Sequence, residues 1–270
     1  MPYPLISFVV PAYNEEALIG ACLASIRAEI ARSRCGAEII VVNNASTDKT
    51  REIAAAIAGV IVIDEPERGL VQARRAGYLA AHGKLIANID ADTMLPEGWL
   101  CRVLREFDQR PGLAALSGPF IHYDLPRWAQ IVAAGFYRIA FLVYMLMRFV
   151  FRTGSMLQGG NFVVAKSAID AAGGFNRDFR FYGEDTDLAD RLSKVGPVKF
   201  SLALRALSSG RRFAAEGIFR VGARYAANYL WTVLFKEPFS PTWLDFRHAG
   251  DAQGGQLTTA SSVHAEPPAR

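Results

Sequence analysis

Leu85-Ile86-Ala87-Asn88-Ile89-Asp90-Ala91-Asp92 reads as a short apolar strand that ends in two carboxylates. The strand portion is mostly apolar instead of alternating with polar residues, as expected of a strand covered on both faces. Asp90 and Asp92 are separated by one small residue, so along an extended chain their side chains lie on the same side. Two anionic oxygen donors at that spacing suit a hard divalent cation, above all one that holds a diphosphate. Much later, Gly183-Glu184-Asp185-Thr186-Asp187 supplies a second acidic group and a candidate proton acceptor.

Outward from this strand, the N-terminal part of the chain alternates strand and helix. Strands are predicted at Leu5–Val10, Glu38–Val42 and Val60–Asp64, and helices at Glu15–Ile30, from Asp48 to about Ala58, and at Leu70–His82. Apolar strands alternating with helices predict an α/β fold, a Rossmann-like, mostly parallel sheet flanked by helices. Ligands of such sheets bind beyond the carboxyl ends of the strands. Pro11–Asn14, Asn43–Asp48, Asp64–Gly69 and Asp90–Asp92 all fall on that edge. Further on, the pattern predicts a long apolar helix over 127–152, a loop at Gly154–Gly160, and a strand at Asn161–Ala165. A short helix at Ala168–Ala172, a helix at Asp185–Lys194 and a strand at Val198–Ser201 follow. A second apolar helical region runs from Arg211 to Phe235, and Ala249–Arg270 has the composition of a disordered tail.

At 270 residues the chain is long enough to bury a full core. Half of it is hydrophobic and its formal charge is +4, which favours an anionic ligand or an anionic membrane surface. Nucleic acid is not expected, because no Lys/Arg-rich run with interleaved aromatics occurs. Cys22, Cys35 and Cys101 are odd in number and lack a CxxC spacing, which fits a reducing compartment and disfavours a zinc site. No charged n-region opens the chain, so no signal peptide is expected. No run of about eighteen uncharged apolar residues occurs, so a clean transmembrane span is not expected either.

No Gly-x-Gly-x-x-Gly follows the first strand and no phosphate-binding Gly-Lys-Ser/Thr loop occurs, which disfavours dinucleotide oxidoreductases and nucleoside triphosphatases. The motifs instead form a recognisable series. It comprises Val9-Val10-Pro11-Ala12-Tyr13-Asn14-Glu15-Glu16, Val41-Val42-Asn43-Asn44-Ala45-Ser46-Thr47-Asp48, Gly69-Leu70-Val71-Gln72-Ala73-Arg74-Arg75-Ala76-Gly77 and Asp90-Ala91-Asp92. Gly159-Gly160-Asn161-Phe162, Gly173-Gly174-Phe175 and Gly183-Glu184-Asp185 complete it. In this order and spacing, over roughly residues 5–200, they resemble the family 2 glycosyltransferases of the GT-A fold.

That resemblance implies a nucleotide-sugar donor, an inverting transfer and a Mg2+ or Mn2+ ion. By position, Pro11, Tyr13 and Glu15 would wall the base and ribose, Asn44 would face the base and Arg74 would stabilise the nucleotide. Asp92 would coordinate the metal, and Asp90 would touch the ribose or a metal-bound water. Asp185 would be the general base, with Glu184 and Asn161 on the acceptor side. Two positions depart from the family pattern. Asn43-Asn44 stands where Asp-Asp is frequent, and Ser208-Ser209-Gly210-Arg211-Arg212-Phe213 stands where many relatives place a metal-contacting His. Arg211 or Arg212 is expected to supply positive charge to the diphosphate instead.

Plainer roles compete with these. Asp90 could merely end a strand, Asp92 could cap a helix near Pro96-Glu97, and Asp187 could pair with Arg191. His82, His122 and His248 have no partners at ligand spacing. Arg127, Gln130, Arg138, Arg148 and Arg152 fall within an arc of roughly 80° on a helical projection, against a broad apolar face. This pattern suits peripheral association with the cytoplasmic face of a membrane, with a lipid-linked or surface-glycan acceptor; packing of this helix against the second apolar helix, or on a second copy as a homodimer, is the alternative. The expected organisation is a glycosyltransferase domain over 1–205, with a nucleotide-sugar part (1–118) and an acceptor part (119–205). An amphipathic helical extension (206–248) and the tail (249–270) follow it. Two other functions remain at this stage. A sugar nucleotidyltransferase would carry a Gly-rich, Arg-containing loop after the first strand, and a non-catalytic scaffold would not need Asp90, Asp92 and Asp185 together.

Overall fold

The computed structural model describes residues 5–149, 156–176, 183–235, 243–245 and 256–258. The elements run β1 (Ile6–Ala12), α1 (Ile19–Ser33), β2 (Ala37–Asn43), α2 (Thr50–Ala55), β3 (Val60–Asp64), α3 (Leu70–Ala80) and β4 (Leu85–Ile89). There follow β5 (Thr93–Met94), α4 (Trp99–Gln109), β6 (Ala115–Ser117), β7 (Phe120–His122), α5 (Arg127–Phe149), β8 (Asn161–Ala165) and α6 (Lys166–Ala171). The remainder is α7 (Glu184–Ser193), β9 (Val198–Phe200), β10 (Ala206–Ser208), α8 (Arg211–Glu216), α9 (Ile218–Phe235), β11 (Trp243–Asp245) and β12 (Gln256–Thr258).

The main sheet has the order β3-β2-β1-β4-β8-β6-β9. The first four strands are parallel, β8 runs antiparallel to both neighbours, and β6 and β9 are parallel to each other. Alternation along β1 sends Ile6, Phe8 and Val10 to one face with Cys22, Leu23, Ile26 and Trp99. Val9 goes to the other face, with Val71, Ala73 and Leu188. The sheet is therefore covered on both sides, which explains the absence of polar alternation in β1 and β4.

Two parts of the framework had no clear sequence signal. α4 buries Trp99, Leu100 and Val103, and its N-terminus is capped from α1 and not by Asp92. The buried Glu29 carboxylate accepts the Gly98 N–H at 3.1 Å and the Leu100 N–H at 2.9 Å, placing an anion where the helix has unpaired donors. The short β5, β10 and β7 form a second sheet in that order. α1 begins at Ile19, later than expected, because Asn14 takes a positive φ of 51° and the Glu15 N–H donates to Thr50. Gly217, at φ 86°, divides the expected single helix after Arg211 into α8 and α9. Within the expected tail, Gln256–Thr258 pairs antiparallel with Trp243–Asp245; Leu and Thr are strand formers despite the flanking composition. The rest of 249–270, His248, Arg152 and the side chain of Arg148 lie outside the description.

α5 also revises an expectation. Arg127–Leu146 is long and apolar enough to cross a membrane by length and composition, with mean hydropathy 1.6. An uncharged-run criterion misses it because Arg127 and Arg138 interrupt the run, although a long arginine can keep its charge at an interface.

Gly77 of α3 shows how tightly this framework closes. A Cβ there would run into Val9 Cγ1 and stand 3.1 Å from Val42 Cγ2. Gly77→Ala is expected to destabilise the fold by about 1–3 kcal/mol through overpacking, measured as a lower urea midpoint at unchanged slope.

Candidate active site

The carboxyl ends of β1, β2 and β4 deliver the predicted loops to one crevice, where two charge networks meet. In the first, Arg74 of α3 is 1% exposed and donates to Asp90 Oδ1 at 3.0 Å. It also pairs with the buried Glu184 at the start of α7. The next residue, Asp185, accepts the Gly159 N–H at 3.1 Å and the Thr186 N–H at 2.8 Å. Burial pushes the Asp185 pKa above the usual carboxylate value, against the lowering influence of Arg74 and of those N–H groups. A carboxylate with a raised pKa is a better proton acceptor than an ordinary surface aspartate.

In the second network, Arg211, at the start of α8, pairs with the buried Glu15 and donates to Asp92 Oδ2 at 3.2 Å. Burial works against its charge, but Glu15 and Asp92 hold its pKa above the usual value. Arg212 turns away, donating to the Tyr225 hydroxyl of α9 at 3.0 Å. Of the two arginines expected near the diphosphate, Arg211 is the one that reaches the crevice.

Several predicted contacts are committed to the fold instead. Asn44 donates to the carbonyls of Glu65 (3.0 Å) and Glu67 (2.7 Å) and accepts the Gly69 N–H at 2.8 Å, so it shapes the β3–α3 loop and does not face a base. Asn161 is fully buried. It donates to the Gly118 and Leu204 carbonyls, both at 2.9 Å, and accepts from the Trp99 indole at 3.1 Å, leaving no surface for an acceptor. Glu184 is the counter-ion of Arg74, and Arg74 is itself too buried to reach a nucleotide. Pro11 is buried within β1 opposite Val42, whereas Tyr13 is partly exposed and carries the Arg68 guanidinium 4.0 Å from its ring centroid. Arg68 belongs to the Asp64–Gly69 loop on the carboxyl edge and carries no motif signal of its own in the sequence. Asp187 pairs with Arg191 at 2.8 Å, the plainer of its two expected roles.

Gly160, at φ 79°, lies within a quoted motif but takes its role only from the structure. A Cβ there would overlap the Asp90 carboxylate, so only glycine lets this loop close over it. Among the described residues no three or more His, Cys, Asp or Glu converge as a cation site. Asp90 (34% exposed) and Asp92 (18% exposed) nevertheless fit an ion of the Mg2+ or Mn2+ type, which takes one or two protein carboxylates and completes its shell with phosphate and water. An open cavity of about 880 Å³ lies at the opposite sheet edge, lined by Leu5, Lys84, Phe107, Arg110 and Val195, and none of the predicted site residues lines it.

A model of the family described as glycosyl transferase family 2 matches residues 7–173. The chain belongs to that family. It is 28% identical over 209 residues to the probable glycosyltransferase YdaM of Bacillus subtilis, covering 72% of this chain and 47% of that protein. It is 34% identical over 110 residues to the uncharacterized glycosyltransferase EpsJ of the same organism, covering 39% of this chain and 31% of EpsJ. The chain thus spans less than half the length of these relatives. The fold resembles that of the mannosyltransferase PcManGT from Pyrobaculum calidifontis, solved with GDP-Man and Mn2+. Their TM-score is 0.66 at 19% identity, covering 88% of this chain and 66% of that one. It also resembles glucosyl-3-phosphoglycerate synthase from Mycobacterium tuberculosis, solved with Mn2+, UDP-Glc and phosphoglyceric acid. There the TM-score is 0.58 at 20% identity, covering 90% and 84%. The fold is accordingly of the GT-A glycosyltransferase type.

The buried Arg74 makes a direct stability test. Arg74→Met leaves Asp90 and Glu184 without their cation and is expected to cost about 3–5 kcal/mol, read by chemical denaturation. Adding Glu184→Gln to that variant should recover part of the loss, because the uncompensated buried charge is then gone.

Proposed function

We propose that the protein transfers a sugar from a nucleotide-diphosphate donor to an acceptor hydroxyl, with inversion at the anomeric carbon. The observation that carries this reading is the placement of Asp185. Its carboxylate is held by the Gly159 N–H, and the neighbouring Glu184 is tied through Arg74 to Asp90, so the helix start that carries the base and the diphosphate end of the crevice share one network. In the reaction, Asp185 takes the proton from the acceptor hydroxyl as its oxygen bonds to the anomeric carbon. The bond to the diphosphate breaks on the opposite face. A single displacement is favoured over a covalent intermediate because the carboxylates beside Asp185 are already engaged, Glu184 by Arg74 and Asp187 by Arg191. Arg211 lies where it would face the charge developing on the departing diphosphate. Asp92 and Asp90 would hold a Mg2+ or Mn2+ ion, which when bound supplies further neutralisation of that charge. The donors named for the two structural neighbours, GDP-Man and UDP-Glc, indicate the donor class and leave the base and sugar open.

The same reading places the protein peripherally on the cytoplasmic face of a membrane, with a lipid-linked or surface-glycan acceptor. Supporting this, α5 exposes Trp128, Ile131, Ile139, Leu142 and Leu146 in succession, with Ile131 71% and Leu142 67% exposed. Its other side is packed on the domain: Ala129 and Ala133 are buried, and the Tyr144 hydroxyl donates to the Val198 carbonyl at 3.1 Å. A helix anchored along one side and apolar on the other suits lying in the interface better than crossing the bilayer. Arg127 and Arg138 border the apolar arc, where anionic headgroups would meet them.

Incubation with a panel of nucleotide-sugars and Mn2+ is expected to release nucleoside diphosphate, whereas a nucleotidyltransferase would instead form pyrophosphate from a triphosphate. Asp185→Asn should reduce turnover by a factor of about 10²–10⁴ while donor binding persists. For stability, the sign follows from the raised native pKa: the ionised carboxylate is disfavoured in the fold, and this unfavourable contribution is fully present above that pKa. Asp185→Asn should therefore melt no lower than the wild type at neutral pH. For the membrane, the protein is expected to sediment with phosphatidylglycerol vesicles at low salt, and Arg127→Glu with Arg138→Glu should release it. Equal sedimentation with neutral and anionic vesicles would count against the basic rim.

A further inference from the structure

The loop that closes over the crevice is anchored to the core by the buried Leu157 and offers one polar side chain, that of Gln158, to another element. Of Gln158, Gly159 and Gly160, the two glycines work through the backbone: Gly159 donates its N–H to Asp185, and Gly160 passes over the Asp90 carboxylate. A Cβ at Gly159 would lie 3.4 Å from Asp185 Oδ2 and 3.5 Å from Arg74 Nη2, so this backbone lies close against both groups. Gln158 accepts, on Oε1, a hydrogen bond of 3.0 Å from the Tyr137 hydroxyl of α5. Its own N–H donates to Ser117 Oγ at 2.8 Å, and its carbonyl accepts the Asn161 N–H at 3.0 Å. The loop therefore hangs between the sheet and α5.

Tyr137 occupies a particular place on α5. At about 100° per residue, Trp128, Ile131, Ile139, Leu142 and Leu146 fall within an arc of roughly 80° on the side opposite Tyr137. The buried Ala133 and Tyr144 lie on the Tyr137 side. α5 thus turns a continuous apolar face outward and two hydroxyls inward, that of Tyr137 onto the loop beside Asp185.

We propose that Tyr137 is a positioning residue, which through Gln158 sets the Gly159 N–H against Asp185 and so couples the seating of α5 to the competence of the base. This rests on the assignment of Asp185 as the base and extends it to an element that does not touch the reacting atoms. The energetic logic is local. The Gly159 N–H stabilises the ionised carboxylate, so loosening the loop disfavours the form of Asp185 that accepts a proton. The groups facing Asp185 are Arg74 from α3, Tyr137 from α5, the N–H groups of Gly159 and Thr186, and the acids of its own helix. In Gln158→Ala the tether is lost while Arg74, Tyr137 and the Thr186 N–H stay in place, so the Gly159 contribution weakens and the acid limb of the rate profile moves toward higher pH.

The experiment compares Tyr137→Phe and Gln158→Ala with Tyr144→Phe. The last removes a different α5 hydroxyl bond, to the Val198 carbonyl, and leaves the loop untouched. Deuterium uptake at Gly159, read on a peptide spanning 156–161, is expected to accelerate by roughly fivefold or more in Tyr137→Phe and Gln158→Ala and to stay at the wild-type rate in Tyr144→Phe. In nucleotide-sugar turnover, the first two variants should lose about five- to tenfold in kcat at little change in donor KM, with the acid limb displaced upward. Wild-type uptake at Gly159 in both tether variants, or uptake raised equally in all three, would overturn the coupling. Raised uptake confined to the two tether variants, in a protein that turns over no nucleotide-sugar, would uphold the coupling and remove the proposed reaction.

Discussion

The site depends on one buried cation. Removing a guanidinium from water costs several kcal/mol, so Arg74 at 1% exposure is tolerable only where opposite charge and hydrogen bonds meet it. Its two partners come from distant parts of the chain, Asp90 from the end of β4 and Glu184 from the start of α7. Neutralising Arg74 thus joins the end of the parallel half of the sheet, where the diphosphate would lie, to the helix that carries the proposed proton acceptor. Displacing Arg74 leaves the buried Glu184 charge uncompensated, and displacing Glu184 leaves Arg74 only the partly exposed Asp90, which makes the arrangement stiff. Stiffness is what a transfer reaction needs, because the base must stand at a set position relative to the leaving group.

Arg211 plays a parallel role on the other side of the crevice. It comes from the segment after β10 and meets Glu15 after β1 and Asp92 after β4. Where many relatives are expected to place a histidine, this chain places a permanent cation. A histidine could ligate a metal, whereas an arginine can only donate hydrogen bonds and charge. The protein therefore carries its own positive charge at the carboxylate pair, alongside any ion that pair holds.

Much of this was legible in the chain. The strands Val60–Asp64, Leu85–Ile89 and Asn161–Ala165 match the expected bounds, and the loops predicted on the carboxyl edge all lie there. Periodicity reports such elements because burial on two faces forces apolar runs and helices show their stripe. The errors share a different cause. Asn44, Asn161 and Glu184 are polar residues in functional-looking motifs, and each is committed to closing the fold. A polar side chain at a sheet edge is equally suited to hold a ligand or to satisfy a stranded backbone carbonyl. The partners that decide between these, such as Leu204 for Asn161, are far away in sequence.

The sequence by itself determined the class of fold, the family, the carboxylate pair and the acid that follows it, since these reside in local spacing and residue chemistry. Tertiary structure alone decided the division of labour. It showed that Arg74 pairs with Asp90 and Glu184 from within, that Arg211 and not Arg212 faces Asp92, and that Gly160 must be glycine because of Asp90. It also showed that the outward-facing apolar helix reaches the base loop through the Tyr137 hydroxyl. The reason is the same in each case. Burial and charge compensation are set by what the fold brings together across long stretches of chain, and a one-dimensional pattern does not contain those distances.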